Sequence, residues 1–402
     1  MSDSPRLLAS KLPEVGTTIF SIMSALATEH RAINLSQGFP DFEPPPGLLR
    51  ALTNRLASGG HHQYPPMHGI TPLREQISAK IGRLYGVSTD IEREITITSG
   101  ATEAIFVAIQ SVVSQGDEVI LFDPAYDAYA PAVRLAGGIP KHIPLLPPRF
   151  EVDLERLTET VGSKTRLIVI NTPHNPTGSV MSRQALETLG EITERFGCYV
   201  LADEVYEHMV FDGKHHESAL SIDCLKAHSF VVSSFGKTYH ATGWKIAYCI
   251  APKDLTAEFR KVHQFVTFTT HTPSQWAIAD FMVNDEGHID QLSDFYQKKR
   301  DHFLATFTPL GFTLTPSQGT YFQLADYSGI PAIRHLPDVE CAELLTKAHG
   351  VAAIPLSVFY AEPPRAQRLL RFCFAKDDST IAEAANRLAL GFGITSGAIL
   401  CE

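Results

Sequence analysis

Short runs at 94–98, 117–122, 166–170, 198–202, 230–232 and 246–250 constrain this chain more than any other feature. All are of strand length, and 166–170 is apolar from Leu167 onward. Helical patterns lie between several of them. One covers 104–113; another runs to Phe196 from Ser182, whose hydroxyl suits an N-cap. Apolar strands alternating with helices predict an α/β fold, a mostly parallel sheet sandwiched by helices. Polar residues cluster just past the strand ends, where open sheets of this type bind ligands. These clusters are Ser99-Gly100-Ala101-Thr102, Pro124-Ala125-Tyr126, Asn171 to Gly178, Asp203 to Tyr206, and Ser233 to Lys237.

The flanks read differently. Residues 17–30 place Ile19, Phe20, Ile22, Met23, Leu26 and Ala27 on one helical stripe. Residues 34–41 and Pro44-Pro45-Pro46 predict an irregular loop, in which Gly38 lets backbone approach a ligand. A long helix is expected over 289–310, a hairpin over 312–324, a helix over 339–349 and a strand over 369–375. Thr380 and Glu383 have capping-box spacing for a last helix. The expected organisation is a large domain over 47–295 and a smaller, discontinuous α+β domain formed by 1–46 plus 296–402.

A length of 402 residues is ample for two domains. A net charge of -10 argues against nucleic acid as partner. No run of 18 apolar residues is present to span a membrane, and the opening stretch lacks the apolar core of a signal peptide. None of the six cysteines is in C-x-x-C spacing, so neither a disulfide frame nor a zinc site is expected. His61-His62 and His215-His216 lack a third ligand nearby and read as surface loops. These features imply a cytoplasmic protein without a metal.

Lys237 follows a buried strand among small residues, where burial lowers an amine's pKa and frees it to form a Schiff base. The plainer reading is a basic turn. Asp203, at the end of a buried strand, needs a partner, either a structural cation or a ligand N–H. Arg371 lies inside an apolar strand and needs an anion, from an ion pair or a substrate. The strand-to-helix turn at Gly100, Ala101 and Thr102 suits a phosphate, although glycine after a strand is more often just a turn.

Three motifs in order resemble those of the fold-type I pyridoxal phosphate (PLP) aminotransferases. They are Asn175-Pro176-Thr177-Gly178, Asp203-Glu204-Val205-Tyr206, and Ser234-x-x-Lys237 followed by Thr242-Gly243-Trp244-Lys245. The resemblance implies that PLP is the cofactor and Lys237 its Schiff-base lysine. It implies that Gly100, Ala101, Thr102, Ser234 and Lys245 hold the phosphate, with Tyr64 reaching it across a dimer interface. Tyr126 would stack on the ring, Asp203 pair with its N–H, and Tyr206 and Asn175 bond its 3-oxygen. Lys237, Asp203 and Tyr206 would be the catalytic groups. Arg371 would bind the substrate carboxylate, helped by Gly38 and Asn175, while Phe20, Phe39, Tyr64 and Tyr126 face its side chain. Much of the family has Arg where Lys245 stands, which places the chain nearer the methionine, kynurenine and glutamine branch than the aspartate branch.

The implied activity is ping-pong transfer of an amino group from a large uncharged amino acid to a 2-oxo acid, in a homodimer with shared active sites. The same residues would serve a carbon–sulfur β-lyase acting on cystathionine or cysteine conjugates. A regulatory module and a PLP-independent sugar-phosphate or nucleotide binder are the remaining alternatives.

Overall fold

The computed structural model describes residues 9–284 and 287–394. Residues 1–8 of the opening stretch, and Cys401, lie outside them. Seven strands form the main sheet: β1 (Ile95–Thr98), β2 (Glu118–Asp123), β3 (Ile139–Pro144), β4 (Thr165–Asn171), β5 (Tyr199–Asp203), β6 (Ser229–Ser234) and β7 (Ala247–Ile250). Their spatial order is β1-β7-β6-β5-β4-β2-β3. Strands β6, β5, β4, β2 and β3 pair in parallel, and β7 runs antiparallel to both neighbours. The central strands are buried at nearly every position because helices cover both faces of the sheet. The fold is therefore α/β with a mostly parallel sheet, as the alternation predicts.

Strand β3 is the element the sequence conceals. Its residues, Ile-Pro-Lys-His-Ile-Pro, include two prolines and several partly exposed positions. Proline is tolerated there because β3 is an edge. Two helix starts also differ from expectation. The helix after β1 begins at Ala101 rather than 104. Pro46 opens a helix, Pro46–Ala57, where its missing N–H is harmless, instead of closing a loop.

A second, antiparallel sheet has the order β9-β10-β8, from β8 (Phe322–Asp326), β9 (Ile354–Pro355) and β10 (Leu369–Cys373). The hairpin expected over 312–324 reduces to one bridge between Thr313 and Asp326. Residues Ile33–Asn34 pair in parallel with Val351–Ala352, tying the N-terminal segment to the C-terminal part. The helix Ile19–Glu29 starts at Thr18, whose hydroxyl accepts from Ser21 N at 3.3 Å. It buries Met23 and Ala27, while Ile22 faces outward.

The capping box at the last helix does not form. That helix, Asp378–Gly391, begins two residues before Thr380, and the Thr380 hydroxyl instead donates to Asp41 Oδ2 at 2.9 Å. The His216 ring is also turned inward, 2.9 Å from Glu204 Oε2, while its neighbour His215 is exposed as expected. Among the described residues no cluster of side chains is arranged to hold a metal, and no helix is long and apolar enough to cross a membrane. The five described cysteines are free.

One buried ionic knot fixes the strand ends. Glu207 accepts from Lys80 at 2.7 Å, Tyr85 at 2.6 Å, Tyr248 at 3.1 Å, and Ser233. It thereby joins the helix Thr71–Tyr85, the segment after β5, and strands β6 and β7. The lysine and these hydrogen bonds hold the Glu207 carboxyl well below the usual range despite its burial. Removing one partner strands the other charge in a dry interior. Glu207→Ala is expected to cost about 3–5 kcal/mol in urea unfolding. Replacing both partners by Lys80→Met and Glu207→Leu should recover most of it; equal losses for the two variants would contradict this account.

Candidate active site

The C-terminal ends of β4, β5 and β6 lie side by side, with Asn171 opposite Asp203 and Asp203 opposite Val232. A cavity of about 230 Å³ opens above them. Its wall brings together Phe20, Gly38, Gly100, Ala101, Thr102, Tyr126, Asn175, Asp203, Tyr206, Ser234, Lys237, Lys245 and Arg371. These come from eight separated stretches of sequence.

Lys237 sits on a single helical turn, Phe235–Thr238, that follows β6 directly. The turn packs back on itself so closely that a Cβ on Gly236 would lie 3.1 Å from Thr242 Cα. The Lys237 amine donates to the Tyr321 hydroxyl at 2.7 Å and to the Gly38 carbonyl at 3.2 Å. Burial, reinforced by the Arg371 and Lys245 cations, lowers its pKa to about 8.

Asp203 is buried. It accepts from the Tyr129 hydroxyl at 2.6 Å and from Val205 N at 3.3 Å. Among the described residues no cation pairs with it, and burial pushes its carboxyl up to about 6. Tyr129 was not singled out from the sequence. It lies three residues after Tyr126, so the two rings meet edge-on at 5.6 Å.

Arg371 lies in β10 with no solvent exposure. It donates to Asn175 Oδ1 and to the Ser36 carbonyl, each at 2.8 Å, while its Nε has no partner. The guanidinium lies 3.9 Å from the centre of the Phe322 ring and 5.2 Å from that of Phe20. Among the described residues it has no ion pair, and burial lowers its pKa to about 10. Asn171, which the sequence places in the cluster past β4 without a role of its own, links the two charges. Its side chain accepts from Asn175 N at 2.7 Å and donates to the Asp203 carbonyl at 2.8 Å.

The helix Ala101–Val112 opens at the cavity with no side chain capping it. Lys245 takes a left-handed conformation, φ 54°, as it enters β7. Its side chain crosses Gly100 so closely that a Cβ there would lie 2.8 Å from Nζ. Free N–H groups and an ammonium thus face the same space, with Ser234 beside them.

Phe39 and Tyr64 stand apart from the cavity wall. The Phe39 ring is 43% exposed and packs 4.6 Å from Lys376 Nζ, which also binds the Phe39 carbonyl. Tyr64 is 82% exposed, against Phe268 at 5.5 Å. At Gly38, a Cβ would lie 2.7 Å from the Phe322 ring, so glycine is required by the close approach.

The family model for aminotransferases of class I and II matches residues 30–388. The chain belongs to that family. It is 48% identical to a methionine aminotransferase of Escherichia coli, over 96% of this chain and 99% of that protein. The crystal structure of an E. coli protein identified as having methionine aminotransferase function superposes with a TM-score of 0.92, at 48% identity, over 96% of this chain and 100% of that one. A probable N-succinyldiaminopimelate aminotransferase of Mycobacterium tuberculosis is 38% identical, over 96% and 98% of the two chains. A kynurenine–oxoglutarate transaminase of Dictyostelium discoideum is 34% identical, over 93% and 94%. All three relatives are named for amino-group transfer, not for carbon–sulfur cleavage or regulation.

Class I and II aminotransferases depend on PLP, and the cavity of this family member fits that group. Its phosphate matches the uncapped helix start beside Lys245. Its ring N–H matches Asp203, whose carboxylate no described cation neutralises. The partnerless Arg371 Nε is left for a carboxylate. In the cofactor-free protein, acetylation of Lys237 should rise with pH through a midpoint near 8. Exposed lysines should follow at about 10.4. Competitive labelling with peptide mass spectrometry measures both; a Lys237 midpoint at the exposed value would contradict the burial argument.

Proposed function

We propose that this aminotransferase moves the amino group of a large uncharged amino acid to a 2-oxo acid in two half-reactions. Methionine and aromatic amino acids are the preferred donors, with kynurenine and glutamine in the same class. One observation carries the reading. Among the described residues the cavity wall holds a single guanidinium, Arg371, with Phe20, Phe322 and Tyr126 on the same wall. The named activities of the E. coli and Dictyostelium relatives support it.

Bound PLP supplies an electron sink for breaking a bond at the amino acid's Cα. The protein's own groups do the rest. Gly100, Ala101, Thr102, Ser234 and Lys245 would hold the phosphate. Tyr126 would stack on the ring, Asp203 would accept from its N–H, and Tyr206 and Asn175 would bond its 3-oxygen. Arg371 grips the substrate carboxylate in a fork, with Asn175 and the Gly38 backbone beside it. Lys237 takes the proton from Cα and returns it, a role suited to an amine that titrates near neutral pH. Phe20 and its aromatic neighbours exclude water from the substrate side chain.

We also infer a cytoplasmic homodimer in which Tyr64 completes the partner's phosphate site. The exposed aromatic surface of Tyr64, Phe265 and Phe268 supports that assembly. Residues 47–295 are assigned to a large unit and 1–46 plus 296–402 to a small one.

Asp203→Ala should lower turnover at least about a hundredfold, by analogy with the loss of one preorganised electrostatic group. Bound PLP should fall much less, which absorbance of the purified variant measures. Near-normal turnover with PLP bound would remove Asp203 from the mechanism.

Burying a thioether or an aromatic ring stabilises by about 1.5–3 kcal/mol. That is roughly one to two decades in specificity. An unpaired buried carboxylate would be costly in the same place. Accordingly, kcat/KM for methionine, phenylalanine or kynurenine should exceed that for aspartate by at least about tenfold. An aspartate value equal to the others would refute the pocket reading.

A further inference from the structure

Tyr321 lies in the stretch expected as a hairpin and belongs to none of the motifs above. Its side chain is fully buried. The ring packs edge-on against Tyr206, with centroids 5.1 Å apart, and against Phe322 at 4.9 Å. Its hydroxyl is 2.7 Å from Lys237 Nζ and 2.5 Å from the Gly38 carbonyl oxygen. Lys237 Nζ is 3.2 Å from that same oxygen. The three groups close a triangle.

The polarity of the triangle is fixed by proton count. The Gly38 carbonyl has no proton and accepts from both neighbours. Burial keeps the Tyr321 hydroxyl protonated. Its one proton is directed to Gly38, so its oxygen accepts from Lys237. A neutral lysine amine has two N–H groups and one lone pair. Two acceptors engage both N–H groups and leave the lone pair unshared.

We propose that Tyr321 is a positioning residue for Lys237: with the Gly38 carbonyl it forms a holding site for the free amine, leaving the nitrogen lone pair to the cavity. The proposal rests on the reading of Lys237 as the amine that carries the cofactor and moves the substrate proton. A lysine stem has four flexible carbons, and a released amine without fixed acceptors would lose its orientation to the reacting atom. Arg371, Lys245, Asp203 and Cys373 also face Lys237 and influence its charge, but no hydrogen bond joins them to its amine among the described residues. The holding site is assembled from two parts of the chain. Gly38 lies in the N-terminal segment, and Tyr321 immediately precedes β8.

Tyr321→Phe keeps the ring and removes the hydroxyl. First, borohydride reduction of the wild-type holoenzyme and peptide mapping locate the pyridoxyl group. Second, competitive acetylation of cofactor-free wild type and variant gives the pH midpoint of Lys237. Losing an acceptor disfavours the ammonium form, so the variant midpoint should fall by roughly half to one unit. Turnover should fall about tenfold, the loss expected for a misoriented proton-transfer group. PLP retention should fall less than turnover, because the lost hydroxyl reaches the cofactor site only through Lys237 and the side-chain hydrogen bond with Tyr206. Loosened packing alone would lower thermal stability without moving the midpoint downward.

If the Phe variant does not fold, Tyr321→Met reads the same midpoint with a flexible apolar side chain. A pyridoxyl group on Lys237 together with an unmoved midpoint overturns the proposal and leaves the reading of Lys237 intact. A pyridoxyl group on another lysine overturns both.

Discussion

Three charges, on the half-buried Lys237 and the buried Asp203 and Arg371, face one cavity without pairing with one another among the described residues. Burying a charge is costly unless hydrogen bonds or a counter-ion compensate it. The rest of the structure is arranged around that constraint. Each charge receives partial compensation from neutral groups: Tyr321 and the Gly38 carbonyl for the lysine, Tyr129 for the aspartate, Asn175 and the Ser36 carbonyl for the arginine. Neutral partners leave each charge able to interact with a ligand. A fully paired site would be more stable and chemically inert.

Such a site needs a rigid support, and the parallel sheet supplies one. Adjacent strands deliver Asn171, Asp203 and Ser234 from the same edge. The Asn171 side chain then bridges from Asn175 to the Asp203 backbone. Behind this edge, Glu207 collects donors from two strands and a helix, one residue after Tyr206 and in contact with the residue before Ser234. There the opposite solution is used. The charge pair is closed, saturated with hydrogen bonds and turned away from the cavity, so it supports the site without competing for its ligand.

What was legible in the sequence follows from the same division. Central strands were readable because burial on both faces leaves uninterrupted apolar runs, as in Leu167 to Ile170. Lys237, Asp203 and Asn175 were readable because they sit in compact motifs just past those runs. Strand β3 was hidden by prolines that only an edge permits. Tyr321 and Asn171 were hidden because their roles arise from tertiary approach. The Gly38 carbonyl that Tyr321 meets lies 283 positions away in the chain. Thr380 misled for a related reason: a capping-box spacing has no force when Asp41, from the other end of the chain, offers the hydroxyl a better acceptor. Phe39 lies outside the cavity wall because Gly38 faces the cavity while the next side chain packs against Lys376.

The segment from Ser36 to Gly38 joins these strands of argument. Its backbone oxygens serve two cations at once, Ser36 on Arg371 and Gly38 on Lys237. It can lie that close only because Gly38 has no side chain; a Cβ would meet the Phe322 ring that also faces Arg371. The Ile33–Asn34 pairing with Val351–Ala352 fixes the segment just upstream, and Leu35 continues it by binding the Ala352 carbonyl. A residue's worth of slippage in that pairing would move both carbonyls by about 3.3 Å and leave the buried Arg371 and the half-buried Lys237 short of acceptors. The register of a two-residue strand is therefore held from both sides: by its own ladder, and by the charges whose compensation depends on it.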